Sequence, residues 1–291
     1  MSDSDFEVRS EAFNAILRPD SRVEKVADGF QFLEGPVWFA EEECLLFSDI
    51  FAAQIKRWSP RGGVSTFRAE SGRSNGNYRD LQGRLVTAGH RGRNVTRTEP
   101  DGSLTVLADR YQGKRLNSPN DIVVKSDGAL WFTDPPYGVK PEERELPAAY
   151  VFRLDPQAGE LTPVADGFAM PNGLCFSPDE TLLYIADSSD RHHVRVFDVV
   201  DGQRLANGRL FAVIEPGIPD GMRVDTDGRL YSTAGDGIQV FSAQGELLGK
   251  ILVEKSPANC CFGGEGKHTL YITAQDALYR VTLASAGAQA P

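Results

Sequence analysis

Two stretches, NDIVVKSDGALWFTD (120–134) and NGLCFSPDETLLYIAD (172–187), share one pattern. A polar lead residue is followed by a short apolar run, a turn written S-D-G or P-D-E, a second apolar run and a closing aspartate. Lead and aspartate stand 14 positions apart in the first copy and 15 in the second. Two runs of this length joined by turn residues read as a β-hairpin. Weaker copies begin at Glu34-Gly35 and end at Asp49, at Asn75-Gly76 before LQGRLVTAG, at Asp220-Gly221 before TDGRLYSTAG, and at Asn259-Cys260 before GKHTLYITA. The six leads, at 34, 75, 120, 172, 220 and 259, are separated by 41, 45, 52, 48 and 39 residues. Those are the intervals of four-stranded propeller blades, and each has room for two further strands, as in VRVFDV (194–199) and RLFAVI (209–214). The expected fold is all-β, a six-bladed β-propeller around a central metal-binding channel.

The remainder of the chain fits that frame. Residues 1–22 are expected as an N-terminal arm, 23–283 as one propeller domain and 284–291 as a frayed tail. RVEKVA (22–27) offers the strand that closes the ring. The longest interval contains PPYGVKPEERELPAAY (135–150), whose prolines and charges read as an exposed loop over one face and a candidate lid.

With 291 residues, 41% of them hydrophobic, the chain buries a full core without staples. Its net charge of -10 and pI near 5.0 repel phosphate backbones and anionic headgroups, so neither nucleic acid nor a membrane is an expected partner. There is no apolar run of membrane-spanning length and no basic-then-apolar start, which gives an expectation of a cytoplasmic protein, a monomer or weak homo-oligomer. Cys44, Cys175, Cys260 and Cys261 form no C-x-x-C pair and read as reduced core thiols.

In a propeller the innermost strand of each blade runs beside the axis, so equivalent positions near its start form a ring. Every lead (Glu34, Asn75, Asn120, Asn172, Asp220, Asn259) carries a side-chain oxygen. Two carboxylates and several amides converging in a channel call for a cation, and an all-oxygen set suits a hard divalent ion. Ca²⁺ is the first choice, with Mg²⁺, Mn²⁺, Zn²⁺ or Fe²⁺ also compatible. Asn-Gly and Asp-Gly are equally turn dipeptides, and for Asn75 and Asn259 the two readings balance. Glu-Gly-Pro is no standard tight turn, which favours the site reading at Glu34.

At these same residues the chain resembles the senescence marker protein/gluconolactonase/luciferin-regenerating enzyme family, of the regucalcin-like, bacterial sugar lactonase type. The resemblance rests on FLEGPVW (32–38), LNSPNDIVV with DGALWFTDPPYG (116–138), MPNGLCFSPDETLLYIAD (170–187), PDGMRVDTDGRLY (219–231) and NCCFGG with TLYIT (259–273). It implies one divalent metal bound by Glu34, Asn120, Asn172 and Asp220, with Asp220 also the catalytic proton acceptor and donor. The implied reaction is metal-assisted water attack on a small-molecule lactone. The regucalcin type carries an arginine two residues before the PND asparagine; here Ser118 stands there, which leaves the sugar open and points to Arg93 or Arg115 as replacements. Asn75, His90, Arg93 and Tyr137 are the candidate substrate contacts, although a lone histidine is more often a packing residue and Tyr137 equally fits simple packing. Two alternatives remain: an esterase or phosphotriesterase acting on the same site, and a non-catalytic Ca²⁺-binding propeller.

Overall fold

The computed structural model describes residues 5–289. Among the described residues six blade sheets follow one another along the chain, beside a small ribbon of Arg110–Tyr111 and Lys114–Arg115, and apart from two N-terminal strands each blade strand pairs antiparallel with its sequence neighbour. Their innermost strands are Leu33–Phe39, Ser74–Arg79, Ile122–Val124, Pro171–Phe176, Met222–Val224 and Asn259–Gly263. These six touch in ring order, the sixth packing back on the first, so the fold is a six-bladed β-propeller.

The ring is closed by the N-terminal segment. Val23–Asp28 pairs antiparallel with Ala277–Thr282 as the outermost strand of the sixth blade, joining the two ends of the chain in one sheet. The N-terminal arm is built into the wheel over its described residues, 5–22. Phe6–Val8 adds a fifth strand to blade 5 by pairing with Leu247–Leu252. A one-turn helix, Glu11–Asn14, capped by Ser10, drives Phe13 and Ile16 fully into the core between blades 5 and 6.

The tail expected to fray is tied down over its described residues. Ala284 N donates to Ile16 O at 2.8 Å, Gly287 N to Lys267 O at 3.0 Å and Ala288 N to Val224 O at 3.0 Å. Backbone groups that find carbonyl partners along a whole segment give it no reason to leave the surface. Residues 290 and 291 lie outside the described region.

Between blades, aromatic rings interlock. Trp38 stacks on Tyr271 across the seam of the ring at 5.3 Å, Trp131 meets Phe176 edge-on at 5.5 Å and Tyr231 meets Phe262 edge-on at 5.1 Å. Trp38 and Trp131 therefore pack blade against blade. All four cysteines are free and buried, and burial pushes the Cys260 thiol up to about 12. Among the described residues no helix is long and apolar enough to cross a membrane.

Candidate active site

The glycine after four of the leads explains how the leads crowd together. A Cβ on Gly35 would lie 2.1 Å from Asn75 O, one on Gly173 2.1 Å from Asp220 O, and one on Gly221 2.1 Å from the Asn259 side chain. Gly76 packs in the same way on Asn120 O, to which its N–H donates at 2.8 Å. Each glycine thus lets an inner strand press against the next blade's lead. The lead-glycine dipeptides are points of close approach around the axis and not tight turns.

A second repeated device aims three of the leads. The aspartate ending the second strand accepts backbone N–H groups from the residues just before the lead of its own blade. Asp49 accepts from Gln31 and Phe32 ahead of Glu34, Asp134 from Asn117 and Ser118 ahead of Asn120, and Asp187 from Ala169 and Met170 ahead of Asn172. The closing aspartate visible in the repeat therefore anchors the entry to the inner strand.

Glu34, Asn75, Asn120, Asn172 and Asn259 are buried and Asp220 is partly so. Glu34 Oε2 accepts from Gly35 N at 2.8 Å and from Asn259 Nδ2 at 3.0 Å. Asn259 Oδ1 accepts from Cys260 N at 2.8 Å, so this amide is held at both ends and orients Glu34. Asn172 Nδ2 donates to Ser188 Oγ at 2.9 Å and lies 3.4 Å from Tyr137 Oη. His90 Nε2 lies 3.0 Å from Asn75 Nδ2 and 3.2 Å from Asn120 Nδ2. With both amide nitrogens donating, the imidazole accepts at Nε2 and keeps its proton on Nδ1; burial holds it neutral by lowering its pKa to about 4.

Three buried oxygens of this ring have no partner: Asn75 Oδ1, Asn172 Oδ1 and Asp220 Oδ1. The charges are unbalanced as well. Burial, with the neighbouring Asp121 carboxylate, lifts Glu34 to about 7. Burial, then Glu34 and Asp121, lifts Asp220 well above the carboxylate range, with the Asn172 amide opposing the shift. One cation already lies deeper on the axis. The fully buried Arg223 has Nη1 3.8 Å from Asp121 Oδ2 and 2.7 Å from Met222 O, and its guanidinium covers the Tyr78 ring. That charge pairs with Asp121 and opposes the Glu34 shift least of the causes acting on it, and among the described residues no Lys or Arg forms an ion pair with Glu34 or Asp220. Among the described residues no three His, Cys, Asp or Glu side chains come together as a metal cluster; the donor set here is two carboxylates and amide oxygens, a composition that suits a hard divalent cation.

Of the residues proposed for substrate, Asn75, His90 and Tyr137 stand together at this site. The Tyr137 ring lies 6.3 Å from His90, and burial followed by the Asp220 charge pushes its phenol up to about 12, so it stays protonated. Arg93 is buried, with Nε donating to Leu116 O at 2.7 Å and Nη1 to Glu143 O at 3.3 Å; it braces the loop between the second and third strands of blade 3. That loop spans 135–148, since Ala149 already begins a strand, and it hangs on Ser118 Oγ through Gly138 N at 3.1 Å. Asp121, Arg223 and Ser188 escaped sequence reasoning. The first was visible as the one lead followed by an acid, whereas nothing marked the other two.

A family model described as "SMP-30/Gluconolactonase/LRE-like region" matches residues 32–276. A gluconolactonase of Zymomonas mobilis is 36% identical, the match covering 94% of this chain and 84% of that protein. Pentonolactonase XacC of Haloferax volcanii is 30% identical over 82% of this chain and 80% of its own. Among solved structures, a gluconolactonase from Xanthomonas campestris superposes with a TM-score of 0.90 at 38% identity, covering 97% of this chain and 96% of that one.

Proposed function

The chain belongs to the SMP-30/gluconolactonase/LRE-like family and is a sugar lactonase, and we propose that it works with one divalent cation held by Glu34, Asn172 and Asp220, with Asn120 beside them. The observation that carries this reading is the set of unpartnered oxygens, Asn172 Oδ1 and Asp220 Oδ1, beside the Glu34 carboxylate, which burial lifts to about 7. Held there, a divalent cation would polarise the lactone carbonyl and stabilise the negative charge that develops on its oxygen. Ca²⁺ is the ion we assign, from the all-oxygen donors.

The chain's own groups divide the remaining work. The Asp220 carboxylate takes a proton from the attacking water as the new C–O bond forms. When the ring C–O bond breaks, Asp220 returns that proton to the leaving alkoxide, and the product is the open hydroxy acid. Glu34 serves as ligand, fixed by Asn259. Tyr137 Oη receives the Asn172 N–H and keeps its own proton for a substrate oxygen. Asn75 Oδ1 accepts from a sugar hydroxyl, its amide held in place by neutral His90. The loop 135–148 carries Tyr137 and so shapes the choice among lactones. Buried, reduced cysteines fit the expected cytoplasmic location.

The test uses chelated protein and a panel of aldonolactones, aryl esters and phosphotriesters, with Ca²⁺, Mg²⁺, Mn²⁺, Zn²⁺ and Fe²⁺ added back singly. Lactone opening that vanishes on chelation and returns with one of the ions supports the assignment. Full turnover by metal-free protein refutes the cation, and a preference for the esters or phosphotriesters moves the enzyme to that class.

A further inference from the structure

Ser188 is the first residue after the second strand of blade 4, one step beyond the anchoring Asp187. Its hydroxyl sits between two of the site-bearing segments. Oγ accepts from Asn172 Nδ2 at 2.9 Å and donates to Pro219 O at 2.5 Å, the carbonyl directly before Asp220. Its backbone is fixed too, Ser188 N donating to Met170 O at 3.0 Å, and the residue is 9% exposed.

The two bonds differ in direction, and that difference has a consequence for Asn172. Since the one hydroxyl proton is committed to Pro219 O, Oγ can only accept from Asn172. The amide must then turn its NH₂ toward Ser188 and its Oδ1 away, and Oδ1 is the atom left buried and unpartnered. An amide rotated by half a turn would put two oxygens against each other and aim NH₂ at the cation position. Blade 2 repeats the arrangement: His90, which follows that blade's second strand ending at Gly89, meets the amide of its own lead, Asn75, at 3.0 Å. In the other four blades this position holds Ile50, Pro135, Gly235 and Gln275, none of which makes a hydrogen bond to its lead.

We propose that Ser188 is a positioning residue that sets the orientation of the Asn172 amide, so that its oxygen faces the cation and its nitrogen does not, and that ties this choice to the segment bearing Asp220. The inference rests on the cation reading of the site. A partner behind a metal ligand typically governs 10–100-fold in metal affinity, and Ser188 stands in that relation to Asn172.

The experiment measures Ca²⁺ binding calorimetrically, with thermal melting of every variant alongside, for the wild type, Ser188→Ala, Ser188→Thr, Asn172→Asp and the Ser188→Ala/Asn172→Asp double variant. Ser188→Ala is expected to bind Ca²⁺ about 10–100-fold more weakly while melting near the wild type. Ser188→Thr, which keeps the hydroxyl, should restore most of the affinity. Aspartate presents an oxygen whichever way its side chain turns, so the serine substitution should cost far less in the Asn172→Asp background. Equal losses in both backgrounds would show that Ser188 acts through Pro219 or through the fold at large and overturn the orienting role. Wild-type affinity in Ser188→Ala would overturn it as well. A wild type that binds no divalent ion refutes the cation reading itself, a different result from a wild type that binds and a variant that binds equally.

Discussion

Asn259 Nδ2 donates to Glu34 Oε2 at 3.0 Å, and this bond joins the lead of the last blade to the lead of the first across the seam where the ring closes. Glu34 is thereby held from both sides, by its neighbour Gly35 and by a residue 225 positions away. Because Asn259 Oδ1 already accepts from Cys260 N and its Nδ2 holds Glu34, its replacement tests positioning. Asn259→Ala should weaken divalent cation binding by about 10–100-fold while leaving the ion in place at saturation. Calorimetric titration checks this, and unchanged affinity would show that the bond does not orient Glu34.

The glycines predict a stability effect. Gly173→Ala would place a Cβ 2.1 Å from Asp220 O, with Gly221 Cα at 2.8 Å, both backbone atoms of the neighbouring blade. Neither can yield without moving the strand. Overpacking of this kind costs about 1–3 kcal/mol or more, and here the displaced segment carries Asp220. The variant should melt several degrees lower and bind the cation more weakly, whereas a wild-type melting curve would mean that blades 4 and 5 are less tightly apposed.

How much of this was readable in the chain follows from which groups repeat. Blade count and ring of leads were legible because each blade must place a hairpin and a lead at the same distance from the axis, and that constraint recurs six times. The closing aspartates were legible as a pattern but not in role, since their partners are backbone N–H groups that leave no trace in side-chain identity. Asn-Gly carried two meanings, turn and close approach, and only the neighbouring blade's backbone separates them. Ser188 and Arg223 act once each, on partners 16 and about 100 residues away, so no periodicity could single them out. The tail looked free because ASAGAQAP carries no large apolar side chain; its described residues dock through backbone hydrogen bonds, which composition does not reveal.

A pH dependence follows from the raised carboxylates. Glu34 rises from 4.5 in the unfolded chain to about 7 in the metal-free fold, and Asp220 shifts in the same direction. A folded pKa above the unfolded one gives stability that is complete below about 4.5 and lost as pH climbs through about 7, because the fold then holds two unneutralised buried charges. At roughly 1.4 kcal/mol per unit, Glu34 alone represents about 3 kcal/mol. A bound dication removes that penalty. The gap in melting temperature between calcium-loaded and chelated protein should therefore widen from pH 5.5 to pH 8.5, by roughly 5–10 °C for a domain of this size. A gap that narrows as pH rises would contradict the electrostatic account.

Tyr137→Phe keeps the ring near His90 and removes only the hydroxyl. If that hydroxyl gives its proton to a substrate oxygen, kcat/KM for a polyhydroxylated aldonolactone should fall about 2–10-fold, the worth of one neutral hydrogen bond. A simple unsubstituted lactone of the same ring size should react to the change far less, and cation affinity should stay within a factor of a few. Equal losses on both lactones would assign Tyr137 to holding Asn172 and not to choosing the substrate.

The two carboxylates can be separated by role. Asp220→Asn keeps an oxygen of similar size at the ligand position but removes the basic group, so the cation can remain while turnover drops by the ~10²–10⁴ that general acid–base catalysis contributes. Glu34→Gln removes the same formal charge from a side chain whose Oε2 is already committed to Gly35 and Asn259. Its defect should be weak cation binding, and excess metal should restore much of its activity. The deciding measurement is lactone turnover of both variants across a metal titration, with occupancy determined separately. Rescue of Asp220→Asn but not of Glu34→Gln would transfer the base to Glu34. Full rescue of both would leave the carboxylates as ligands only, since proton transfer would then need neither of them.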